Sequence, residues 1–144
     1  SPGASPEVLG KSQGQHENLD LIDKDVLGMP RPGHHRFFQE GKGASGYLLR
    51  YRETPVAYGY LWPDGRIGPI AALQDAPYKD VLKAFIGIAG ERSPELAMLV
   101  PGSNRTALGV AFSMGFTISM PYLLLSSRRF GAWDRYILHS PGML

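Results

Sequence analysis

Apolar and polar positions alternate with a period of two through the middle of the chain. Tyr47 to Arg52 reads as a strand, Glu53-Thr54-Pro55 turns it, and Val56 to Trp62 returns antiparallel. Pro63-Asp64-Gly65 then forms a hairpin turn into a third strand, Arg66 to Leu73, because Asp-Gly between apolar runs is a strong hairpin signal. Proline cannot donate to a ladder, so Gly68-Pro69 inside that strand predicts a bulge or an edge. The period then changes. Val81, Leu82, Phe85, Ile86 and Ala89 fall on one face of a helix that ends near Gly90 to Ser93, with Asp75 expected as its cap and Pro77 in its first turn. Glu95 to Val100 is a short continuous apolar run, expected as a strand covered on both faces. Asn104 caps a second helix whose expected apolar face is Ala107, Leu108, Ala111 and Met114, with Gly115 as its stop. Phe116 to Ser126 and Asp134 to His139 read as further strands. Upstream, Leu19, Ile22, Val26 and Leu27 predict a short helix ending at Gly28, and His34 to Glu40 a second one anchored by Phe37 and Phe38.

The order is therefore short helices, three strands, helix, strand, helix, strand, strand. Strand–helix–strand over residues 66 to 100 implies a parallel crossover. The fold class is α/β in the α+β sense: a mixed, mostly antiparallel sheet with helices on both faces. On the strand Val56 to Trp62, Tyr58 and Tyr60 share one face while Ala57 and Gly59 share the other. Small residues on one face call for close packing there, by a helix or by a ligand.

Composition narrows the function classes. A chain of 144 residues is the length of one domain. A net charge of +2 gives no electrostatic footprint for nucleic acid. The absence of cysteine excludes thiol catalysis, disulfides and cysteine-ligated zinc. No apolar run is long enough to span a membrane, and no signal peptide is visible, so a cytoplasmic location is expected. Residues 1 to 18, rich in Ser, Gly, Pro and Gln, are expected as a flexible arm or linker before a domain over 19 to 144. Gly10-Lys11-Ser12 lacks the first glycine and the preceding strand of a phosphate loop. Gly41 to Gly46 matches G-x-G-x-x-G but follows a helix and opens a strand, the reverse of the dinucleotide order, and reads as a connector. The adjacent His34 and His35 point about 100° apart on a helix and do not share a metal; solvated or capping roles are expected, and no metal site is assigned.

Asn104-Arg-Thr-Ala107, leading to Gly115-Phe116, resembles the N-x-x-A to Gly-Phe pattern at the fourth helix of the GNAT superfamily of acyl-CoA-dependent N-acetyltransferases. Gly59-Tyr60 and Gly65-Arg66-Ile67-Gly68-Pro69-Ile70-Ala71-Ala72 are similar to the third and fourth strands of that fold, and most similar to the C-terminal half-domains of tandem GNAT proteins. The resemblance covers about residues 19 to 143. It implies acetyl-CoA as co-substrate and an amine acceptor, with a partner GNAT domain or a second copy as protein partner. It also implies that the cofactor's pantetheine arm lies between Arg66–Leu73 and Glu95–Val100. Backbone groups of Ile70, Ala71 and Ala72 would pair with it as another strand, one N–H polarising the thioester carbonyl, with Asn104 and Phe112 near the cofactor.

The sequence departs from the family at two places. Ala72-Leu73-Gln74-Asp75-Ala76-Pro77 lacks the glycines of the family's phosphate loop, and Asp75 places negative charge where phosphate would bind. Ala111 stands where the family commonly has a tyrosine that protonates the leaving thiolate. No catalytic residue is assigned; Tyr58, Tyr60 and Asp64 read better as a packed strand face and a turn aspartate. Two functions remain open at this point: acetyl transfer to an amine, or a catalytically degenerate half-domain serving as a substrate wall or interface. A third class, an unrelated binding module, would use Tyr122, Leu123 to Leu125 or the arginines Arg128, Arg129 and Arg135.

Overall fold

A computed structural model gives the fold and describes residues 4–10, 13–40, 43–119 and 131–139. In chain order the elements are β1 (Ala4–Val8), α1 (Gln13–Leu27), α2 (Pro32–Glu40), β2 (Ser45–Tyr51), β3 (Thr54–Leu61), β4 (Arg66–Ala72), α3 (Tyr78–Arg92), β5 (Ala97–Met98), α4 (Arg105–Ser113), a 3-10 turn (Trp133–Arg135) and β6 (Tyr136–Ile137). β1 to β4 form an antiparallel run, β5 joins β4 in parallel, and β6 also pairs with β4. None of the described helices is long and apolar enough to cross a membrane.

The expected meander is present. Its β3–β4 turn closes through Gly65 N–H to Trp62 O at 3.0 Å, and the Asp64 carboxylate accepts from Arg66 N–H at 3.0 Å. Gly65 has φ +91°, and a Cβ there would lie 1.9 Å from Glu95 O, so both conformation and space demand glycine. The predicted bulge sits where Gly68-Pro69 interrupts β4: Gly59 faces Ile70 but Leu61 faces Ile67, leaving Tyr60 opposite two residues.

The alternation of β3 and β4 sorts side chains into two cores. Ala57, Ile70 and Ala72 join Val81, Leu82, Phe85, Ala107 and Val110 on the α3/α4 face. Tyr58, Tyr60 and Ala71 join Leu19, Ile22, Val26 and Phe38 on the α1/α2 face. The close packing expected beside Gly59 is by a helix: a Cβ there would meet the Phe85 ring at 2.7 Å.

Several expectations fail for local reasons. The stretch expected as a flexible arm holds β1, paired with β2 from Ala4↔Tyr51 to Val8↔Tyr47, and the start of α1. Glu7 pairs with Arg50 at 2.9 Å, and the Gln15 side chain spans Gly10 N–H and Val8 O. Polar composition does not prevent an edge strand from borrowing its partner's backbone. Pro6 sits opposite Leu49, between the inward-bonded positions of the strand, so its missing N–H falls on the free edge. Asp75 does not cap α3; Pro77 stands at its N-terminus with no side-chain bond. Phe37 is 55% exposed, and of the two phenylalanines Phe38 alone is buried, beside His35 of the same helix. The strand at Glu95 to Val100 shrinks to Ala97–Met98, exposed at Ala97, because the sheet parts there. Met114 is exposed, and Val110 takes the expected place of Leu108 among the buried residues of α4. Residues 116–119 carry no strand, and the remainder of the expected Phe116 to Ser126 strand, with Tyr122 and the Arg128-Arg129 loop, lies outside the described residues.

Candidate functional site

The parallel contact between β4 and β5 spans two positions, Arg66↔Ala97 and Ile67↔Met98. Beyond the bulge the two strands separate, and β6 lies in the opening. Ile137 pairs with Ile70 and Tyr136 with Ala71, while Leu138 N–H donates to Leu99 O at 3.0 Å on the other flank. Gly68 makes room for this: its φ is +137°, and a Cβ would lie 2.4 Å from Leu138 O. Of the residues implied as cofactor contacts, Ile70 and Ala71 thus spend their outer edge on β6, and Ala72 O accepts from Arg135 Nη1 at 3.0 Å.

Asn104 is fully buried at the same junction. Its Oδ1 accepts from Ala107 N–H at 3.0 Å, capping α4 as the sequence predicts. Its Nδ2 donates to Tyr136 O at 3.2 Å and to Tyr78 Oη at 2.7 Å, fixing β6 to the starts of α3 and α4. Phe112 is not part of this arrangement. It is 51% exposed, because the buried side of α4 is Ala107, Val110 and Ala111. Replacing Asn104 by alanine removes the cap and leaves Tyr136 O and Tyr78 Oη each one bond short; a loss of about 2 kcal/mol in unfolding free energy is expected by urea titration.

At the mouth of the opening lies a cleft of about 380 Å³ lined by Gln74, Ala76, Tyr78, Thr106, Ala132, Asp134 and Arg135. Among the described lining residues the one cation, Arg135, is held by Asp25 at 2.7 Å, and Asp25 also accepts from Gln74 N–H.

Beneath β6, on the α1/α2 face, is a buried polar network that sequence reasoning missed. Asp23 of α1 accepts from Tyr58 Oη at 2.5 Å and lies 2.6 Å from His35 Nε2. His35 Nδ1 lies 2.8 Å from Tyr60 Oη. Arg31 Nη2 donates to Tyr58 Oη at 3.2 Å and to Tyr136 Oη at 2.7 Å, and stands 3.9 Å from Asp23. His35 is therefore a core residue, not the solvated or capping one expected. The signal was present: Asp23 falls on the apolar stripe Leu19, Ile22, Val26, and Arg31 and His35 lead to Phe38 at helical spacing. Burial raises the Tyr58 and Tyr60 hydroxyls well above their usual range and pushes Tyr136 up to about 12. All three hydroxyls keep their protons at neutral pH and are not bases. Asp64 is exposed in its turn, where the Arg66 backbone N–H and then the Arg66 side chain hold its carboxyl below the usual value.

His139 follows β6 and packs tilted against Phe38 and edge-on against Trp62, with ring centroids at 5.0 and 4.8 Å. Both ring nitrogens are shielded and have no hydrogen-bond partner among the described residues, and burial, then Arg66, lowers its pKa from 6.5. The unfolded chain therefore takes up the proton first. His139 contributes stability that is complete above pH 6.5 and is lost as pH falls from there through the lower folded value. Urea midpoints at about pH 7.5 and about pH 5.5 are expected to differ less in His139→Phe than in the parent chain; the half-buried His34, lowered by burial and then by Arg31, retains its own share of the slope.

No protein-family model matches the sequence, and no curated protein does. Solved structures match over most of their length. The aminoglycoside acetyltransferase AAC(6')-Iy with the bisubstrate analogue CoA-S-monomethyl-acetylneamine superposes with a TM-score of 0.66 at 12% identity, over 88% of this chain and 99% of that one. The ribosomal-protein-alanine N-acetyltransferase of Brucella melitensis biovar Abortus 2308 gives 0.63 at 11%, over 86% and 99%. A second form of AAC(6')-Iy, in complex with CoA, gives 0.63 at 11%, over 90% and 99%. The fold is that of the GNAT acetyltransferases. In this chain the opening between β4 and β5 holds the chain's own strand.

Proposed function

We propose that the chain is an acyl-CoA-dependent N-acetyltransferase, or a domain of one, that acts on an amine. The observation that carries this reading is the parting of β4 from β5 beyond a bulge, in a fold shared with acetyltransferases whose structures hold CoA or a CoA analogue. The edge of β4 at Ile70 to Ala72 offers backbone donors and acceptors to the two amides of a pantetheine arm. With β6 docked that edge is filled, so acetyl-CoA fits only a form in which it is free. The resemblance gives no catalytic acid, since Ala111 has no hydroxyl, and no step is assigned to a side chain.

The filled edge favours a second reading: a degenerate GNAT half-domain, similar to the C-terminal halves of tandem proteins, working beside a partner GNAT domain or a second copy. The missing phosphate-loop glycines support it as well. Isothermal titration of acetyl-CoA separates the two. Micromolar binding, followed by turnover on a panel of amines, supports the enzyme. No heat from a chain that is folded by circular dichroism supports the degenerate half.

A further inference from the structure

We propose that β6 is an intramolecular competitor for the acyl-CoA cleft, latched by the Tyr136 hydroxyl on Arg31, and that acyl-CoA binds only as this strand withdraws. The inference rests on the acyl-CoA reading above. It starts from how β6 is held. An unpaired backbone edge buried between two strands is costly, so the opening between β4 and β5 requires an occupant. β6 supplies one in extended form, meeting β4 at Ile70 and Ala71 and Leu99 on the opposite flank. A side-chain donor of the cleft, Asn104 Nδ2, is likewise spent on Tyr136 O. An extended ligand carrying amide groups asks for these same backbone and side-chain partners, so ligand and strand exclude one another.

The strand is short enough to be exchanged. It has two residues and one further bridge, and it follows a single 3-10 turn. On the α3/α4 face Ile137 is buried in the core, and on the α1/α2 face the strand is held by Tyr136, whose hydroxyl meets Arg31, which in turn is set by Asp23 and Tyr58. The latch therefore lies on the α1/α2 face, away from the cleft mouth, where it can be weakened without touching a cleft-lining residue. Apparent affinity for a ligand falls by the fraction of molecules with the cleft open, so loosening the latch tightens binding.

Three measurements on the full chain test this, with acetyl-CoA as the probe. Tyr136→Phe deletes only the hydroxyl and is expected to tighten acetyl-CoA binding by about tenfold. The double variant Leu99→Cys/Leu138→Cys, in a chain with no other cysteine, cross-links the β6 segment to the β5 flank; oxidation is expected to abolish binding and reduction to restore it. In the parent chain, saturating acetyl-CoA is expected to speed hydrogen exchange at the Leu138 amide, now bonded to Leu99 O. Equal binding by the oxidised and reduced forms, with the Leu138 amide still protected, overturns the competition and leaves the acyl-CoA reading standing. If the parent, Tyr136→Phe and the reduced double variant all stay folded and none binds, the acyl-CoA reading falls, and the competition with it.

Discussion

Replacing Asp23 by alanine is expected to lower the unfolding free energy by about 3–5 kcal/mol, the cost of breaking a buried charged pair from one side. Asp23 is completely buried and is the acceptor shared by Tyr58 and His35, with Arg31 at 3.9 Å. Without it, the Arg31 guanidinium, 7% exposed, loses the Asp23 charge, and two buried groups lose an acceptor. Asn at this position keeps the size and one oxygen but not the charge, so it is expected to recover part of the loss. Urea unfolding followed by tryptophan fluorescence gives both values. An alanine variant within 1 kcal/mol of the parent would show that water or a neighbouring group replaces the carboxylate.

Phe85→Ala is expected to cost a similar amount, about 3–5 kcal/mol, by emptying the centre of the α3/α4 core. The size of the effect follows from Gly59. The ring of Phe85 lies where a Cβ on residue 59 would be, so helix and sheet approach at this point more closely than any other residue on β3 would allow. Gly59→Ala alone is therefore expected to cost about 1–3 kcal/mol through overpacking. In the Phe85→Ala background the same change meets a cavity and should cost much less. The double-mutant cycle is expected to show a coupling above about 1 kcal/mol; additive losses would mean that the ring turns aside without cost.

The meander, α3 and the cap of α4 were legible because their signals are local. Asp64-Gly65 sets a turn whatever surrounds it, Gly68-Pro69 must bulge or lie at an edge, and Asn104 caps the helix it precedes. What was not legible depends on which distant segment arrives. Nothing in Ser5-Pro6-Glu7 shows that β2 has a free edge for it. Nothing in Tyr136-Ile137 shows that the strand docks between β4 and β5 rather than outside them. Ile70, Ala71 and Asn104 meet at one junction, and its occupant in the structure is protein. Phe112 lies one step from the buried Ala111, and one step along a helix turns a side chain by about 100°, which leaves its ring half exposed.

Pro6 bears on how the molecule meets its own copies. At the outer rim of the sheet the outward-pointing positions of β1 are Ala4, Pro6 and Val8, and the middle one has no hydrogen to give. A second sheet approaching that rim finds a gap in its row of donors, next to the charged Glu7–Arg50 pair. The strand is thus complete toward β2 yet a poor template on its other side, which guards this rim against sheet-to-sheet stacking into aggregates.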